Sequence, residues 1–106
     1  MGRVLLRGGQ IITDTLSYPA DILMDDGKIV NLGEGLQADG AQVVDVAGRL
    51  VLPGGVDPHT HFDLPMFDTV SSDDHYTGHK AAAFGGTTTV MDFVPQPEEG
   101  GLEAGL

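Results

Sequence analysis

Residues 53–63 read PGGVDPHTHFD, and the change of pattern there decides the fold. Pro53-Gly54-Gly55 interrupts a series of short apolar runs, and the chain beyond it has a different grammar: a brief strand, a loop, a helix and a second strand. His59 and His61 stand two residues apart at the end of the first of these strands. In a strand, residues i and i+2 face the same side about 6.6 Å apart along the chain. Two imidazoles so placed can converge on one ion at roughly 2.0–2.1 Å. The carboxyl end of a strand is also where parallel α/β folds gather their chemistry. The triplet alone leaves two readings open, half of a metal site or two hydrogen-bonded polar residues at a strand end.

Downstream, FDLPMFDTV (62–70) reads as a loop, with Pro65 barring regular pairing. Ser71, with Asp74 three residues on, has the pattern of an N-cap and capping box, predicting a helix from about 72 to 84. Gly85-Gly86 is its stop, with a left-handed cap. TTTVMDFV (87–94) is a β-branched strand ending at Pro95. Strand, helix and strand in about 40 residues make one βαβ unit, with parallel strands and a right-handed crossover. GLEAGL (101–106) reads as the opening of a further helix.

Upstream, residues 4–6 and 10–13 are short aliphatic runs separated by Gly8-Gly9, a turn or bulge signal. DILMDDGKIVNL (21–32) is strand, turn, strand, because Asp26-Gly27 suits the positive φ angles of a two-residue hairpin loop. After a Gly-rich loop at 33–40, QVVDV and RLVL form a second strand pair around Ala47-Gly48. About six short strands are thus complete by Leu52.

The 106 residues suffice for one small domain, or for parts of two that need something else to complete them. A formal charge of −11, with Arg3, Arg7, Lys28, Arg49 and Lys80 scattered, argues against nucleic-acid or anionic-membrane partners. With no cysteine, any metal must use histidine or carboxylate. No apolar run nears the roughly 20 residues of a membrane span, and a cytoplasmic protein is expected.

Other titratable residues have weaker claims. His75 and His79 are spaced i, i+4 on the predicted helix, as zinc-sharing histidines are, but Tyr76 stands where the H-E-x-x-H signature needs Glu. Asp57 shares a strand face with His59, either as a carboxylate supporting a ligand histidine or as a turn acid ahead of Pro58. Asp92, near the end of the second strand, is a similar case. Lys80 is a solvated helix charge.

VLPGGVDPHTHFDLP (51–65), SSDD (71–74) and AAAFGGTTTVMDFV (81–94) together resemble the amidohydrolase superfamily, and within it the dihydropyrimidinase and D-hydantoinase family. The likeness runs from LLRGGQIITD (5–14) and ADILMDDGKIVNLG (20–33) to DFVPQP (92–97). It implies an α/β protein in which residues 1–52 form the N-terminal segment of a small β-sandwich built from both chain ends. Residues 53–106 would start a (β/α)8 TIM-like barrel with strand one, helix one and strand two, incomplete in this chain because such barrels take about 250 residues.

The resemblance also implies two divalent metal ions, zinc as a rule, bridged by a carboxylated lysine outside this chain. His59 and His61 are its metal ligands; two later histidines and a catalytic aspartate also lie beyond these residues, so no catalytic residue falls within them. Leu64 and Met66 resemble positions that meet the substituent of the ring substrate, with plain loop packing as the other reading. The implied activity is opening of a dihydropyrimidine or 5-substituted hydantoin, a cyclic ureide or imide, to an N-carbamoyl amino acid by a metal-bridging hydroxide. Phe62, where dihydroorotases and allantoinases commonly carry a basic or amide residue, favours an apolar pocket wall. A homotetramer is implied for the whole protein. The alternatives are a non-catalytic dihydropyrimidinase-related protein, which generally lacks the paired histidines, and an inactive truncated fragment.

Overall fold

The structure, a computed structural model, describes residues 2–66, 68–93, 95, 100 and 101. Among these the chain is mostly strand with a single helix, and it divides into two compact units, Met1–Pro53 and Gly54–Leu106.

In the first unit, β1 (Val4–Ile12), β2 (Ser17–Asp25) and β3 (Lys28–Gly33) form an antiparallel meander. Asp26 and Gly27 both take positive φ, 45° and 75°, so the Asp-Gly hairpin forms where the sequence predicts it. The two runs around Gly8-Gly9 are one strand carrying a bulge, since the register with β2 shifts between Leu6 and Gly9.

A second expectation is corrected. β4 (Gln42–Asp45) and β5 (Leu50–Val51) do not pair with each other; both lie parallel to β1, β4 along Val4–Arg7 and β5 along Gln10–Ile11. The turn between them follows the bulge, with Val46 N–H donating to Arg7 C=O and Gln10 N–H to Arg49 C=O. Five strands, not six, therefore make the sheet.

Burial in this unit centres on β2, where Ala20, Asp21, Ile22 and Leu23 are all buried, with Leu5 and Ile11 of β1. Asp21 is tolerated there because its two oxygens accept N–H bonds from Gly8 (2.8 Å) and Leu36 (3.0 Å). The Gly8 bond, aided by Leu36 and the charge of Arg7, outweighs burial and holds its carboxyl below the usual range. Ile11, Tyr18, Ile22, Ile29 and Val51 line an apolar hollow of about 270 Å³ on the sheet.

In the second unit, β6 (Gly55–Thr60) and β9 (Thr87–Asp92) are parallel, and α1 (His75–Phe84) joins them in sequence. The helix begins later than predicted because its N-cap is Asp74, whose side chain accepts from Thr77 N–H at 2.6 Å. That bond, with the Thr77 hydroxyl next in effect, holds the Asp74 carboxyl below its ordinary range. Ser71 does not cap; its hydroxyl accepts from Leu64 N–H at 2.8 Å, and its own N–H donates to Leu64 C=O.

Pro65 does not prevent pairing either. β7 (Pro65–Met66) and β8 (Thr69–Val70) form a small antiparallel ribbon, with proline at the first strand position, where its missing N–H is tolerated. The helix ends on Gly85, and Gly86 supplies the left-handed residue at φ 87°. Residues 102–106, where a further helix is predicted, lie outside the described residues, as does Val94 of the last strand run. No helix among the described residues is long and apolar enough to cross a membrane.

Candidate metal centre

The parallel pairing of β6 and β9 sets their carboxyl ends side by side, with Thr60 opposite Asp92. His59 is the penultimate residue of β6 and His61 follows its end. Their Nε2 atoms approach to 3.0 Å, with ring centroids 4.9 Å apart and the planes at 73°. This separation suits an N–H···N bond between two neutral imidazoles, whichever ring carries the proton. It also suits one metal ion, because bonds of about 2.0–2.1 Å from nitrogens this close converge on a single point. Both side chains are exposed, so the point can be reached from solvent. Among the described residues no group of three histidines or carboxylates is arranged to hold a metal, so the pair is at most half of a coordination set.

The backbone around the pair is held by two carboxylates. Asp57 Oδ1 accepts from the backbone N–H of His59 at 3.1 Å, the arrangement of a strand-end turn acid. Asp92 Oδ1 accepts from Phe62 N–H at 3.1 Å and lies 3.1 Å from the Thr60 hydroxyl, so one oxygen grips the residues on both sides of His61. Its Oδ2 stands 3.7 Å from His75 Nε2.

Phe62 packs on α1. Its ring meets His75 and His79 edge-on, with centroids 5.4 and 5.2 Å away, and it lies over Gly78, the buried residue of α1. A Cβ at position 78 would stand 2.1 Å from the Phe62 ring, so only glycine leaves room. His75 and His79, 5.8 Å apart by ring centroid, thus flank a packing contact. Lys80 extends over the Tyr76 ring, 5.6 Å from its centroid. Leu64 is tied to Ser71 through its backbone, and Met66 pairs with Thr69 in the ribbon and is 44 % exposed.

Sequence reasoning missed Phe93. Its ring stacks on His59, centroids 4.2 Å apart and planes at 25°, and lies 5.4 Å from the ring of His61. The available signal was its place directly after the strand that pairs with the histidine strand.

No family model matches the chain. It is 53 % identical to the D-hydantoinase of Geobacillus stearothermophilus over 89 residues, 84 % of this chain and 19 % of that protein. It is 44 % identical to the dihydropyrimidinase of Rattus norvegicus over 108 residues, 96 % of this chain and 21 % of that protein. Among solved structures, the dihydropyrimidinase of Brevibacillus agri superposes with a TM-score of 0.90 at 46 % identity, over 97 % of this chain and 22 % of that one. The chain thus spans about a fifth of the length of the proteins it matches. By sequence identity and by fold, the chain matches the N-terminal portion of the D-hydantoinase and dihydropyrimidinase family of amidohydrolases.

Proposed function

We propose that this chain is the N-terminal part of a metal-dependent cyclic amidohydrolase, which opens a dihydropyrimidine or a 5-substituted hydantoin to an N-carbamoyl amino acid. The observation that carries the reading is the 3.0 Å approach of the two Nε2 atoms at the paired carboxyl ends of β6 and β9. In this reading β6, α1 and β9 are the first strand, first helix and second strand of a (β/α)8 barrel, and residues 1–52 are the N-terminal share of a β-sandwich. His59 and His61 hold a divalent metal, zinc by resemblance, through Nε2. A metal held there would supply a water of lowered pKa and polarisation of the carbonyl to be opened.

The chain's own residues bind and orient. Asp57 fixes the backbone at His59, and Asp92 holds the Thr60 hydroxyl before His61 and the Phe62 N–H after it. The proton-transferring aspartate and the bridging carboxylated lysine belong to the rest of the protein, as do contacts completing the pocket beside Leu64 and Met66. A cytoplasmic homotetramer acting on a small cyclic ureide or imide is part of the same proposal. The histidine pair weighs against a non-catalytic relative.

The test is His59→Ala/His61→Ala in the intact protein, with zinc content and ring opening of hydantoin and dihydrouracil measured together. Loss of both is expected. Zinc content and turnover equal to those of the unmodified protein would refute the reading.

A further inference from the structure

We propose that Phe93 is a positioning residue that holds the His59 imidazole in its ligating orientation. The inference rests on the metal reading of His59 and His61. Phe93 N–H donates to Thr60 C=O at 3.1 Å, carrying the β6–β9 ladder one residue past Asp92 and fixing where the side chain starts. The ring then lies nearly parallel to His59, at 25° and 4.2 Å, while its relation to His61 is tilted and longer, 49° and 5.4 Å. The contact is therefore chiefly with one histidine.

Stacking of this kind uses the face of the imidazole, whereas a metal is bound through the lone pair in the ring plane at Nε2. Phe93 can thus fix the plane of His59 without competing for its nitrogen. His59 is exposed, and Asp57 restrains its backbone N–H, so the stack acts on the ring itself. An imidazole already ordered loses less rotamer freedom when it binds.

Phe93 is 51 % exposed among the described residues, so the chain itself leaves half of the ring free. In the intact protein, Phe93→Ala and Phe93→Leu should each weaken zinc binding about tenfold, the scale of a lost supporting contact around a metal ligand. Affinity is read by competition with a chromophoric chelator. The cobalt-substituted protein should show an altered visible band. Phe93→Tyr, which keeps the stack, should restore both affinity and spectrum.

Unchanged zinc affinity and cobalt spectrum in Phe93→Ala would overturn the proposal. So would full affinity in Phe93→Leu, because leucine supplies apolar bulk without a stacking plane; that variant also carries the test should Phe93→Ala not fold. His59→Ala/His61→Ala is measured alongside. If it loses zinc while the Phe93 variants keep it, the role of Phe93 alone fails; if it keeps zinc, the metal reading fails and this inference with it.

Discussion

Asp92 divides its carboxylate between two tasks. Oδ1 meets Thr60 and Phe62, the neighbours of His61, and Oδ2 faces His75 on the helix. Its side chain is only 18 % exposed, so these bonds are partly shielded from competing water. Removing the acceptor leaves Phe62 N–H without this partner and takes one of two bonds from the Thr60 hydroxyl, loosening the chain after His61. Asp92→Ala should therefore weaken zinc binding by the intact protein about 10- to 100-fold. Asp92→Asn, whose amide oxygen can still accept from Phe62 N–H, should keep most of the affinity. Equal affinities for the wild type and the alanine variant, measured by chelator competition, would show that the grip on residues 60 and 62 does not matter to the site. The histidine pair itself is legible from the sequence because a spacing of two fixes the shared face. The grip of Asp92 on Phe62 and the stack of Phe93 are not, because both depend on how β6 and β9 align, a relation between residues about 30 apart.

At the scale of elements, α1 depends on one missing side chain. Phe62 lies against Gly78, with the rings of His75 and His79 both beside it at 5.4 and 5.2 Å by centroid. Gly78→Ala would gain about 1 kcal/mol of helix propensity. Against this, a Cβ 2.1 Å from the ring forces Phe62 aside, and overpacking of this kind costs about 1–3 kcal/mol. The expected net effect is destabilisation of up to about 2 kcal/mol, since moving Phe62 also strains its N–H bond to Asp92. Thermal denaturation of the intact protein checks it, and a raised midpoint would mean that the ring moves freely. The same scale shows where local sequence signals stop. Asp26-Gly27 sets the hairpin because the turn chemistry is contained in two residues. β4 and β5 escape because their partner is β1, some 40 residues away, and Ala47-Gly48 looks like a hairpin turn from either side. Ser71 and Asp74 are both good N-caps; Leu64 N–H takes the hydroxyl of Ser71, and that contact cannot be read from residues 71–74.

At the scale of the whole chain, both units leave apolar surface that nothing among the described residues covers. Phe84 is 88 % exposed and Tyr76 71 %, and Val56, Met91, Ile29 and Leu50 are exposed as well. β6 is exposed at five of its six residues, although parallel sheets are ordinarily covered on both faces. Two paired strands also leave two open edges, which invite pairing between chains. The net charge of −11 opposes association in general, but it does not fill an apolar hollow or satisfy a strand edge. Since the matched proteins are about five times longer, the missing cover and the missing ligands have the same source in the proposed reading. Purified residues 1–106 should therefore aggregate or lack a cooperative thermal transition, and should show no hydantoin ring opening in added zinc. Weak zinc binding is expected too, because two imidazoles leave a tetrahedral ion half-coordinated. A sharp, monomeric melting transition would mean that the exposed apolar faces cost less than their area implies, and zinc-dependent turnover by these residues alone would contradict the assignment of the proton-transferring groups to the rest of the protein.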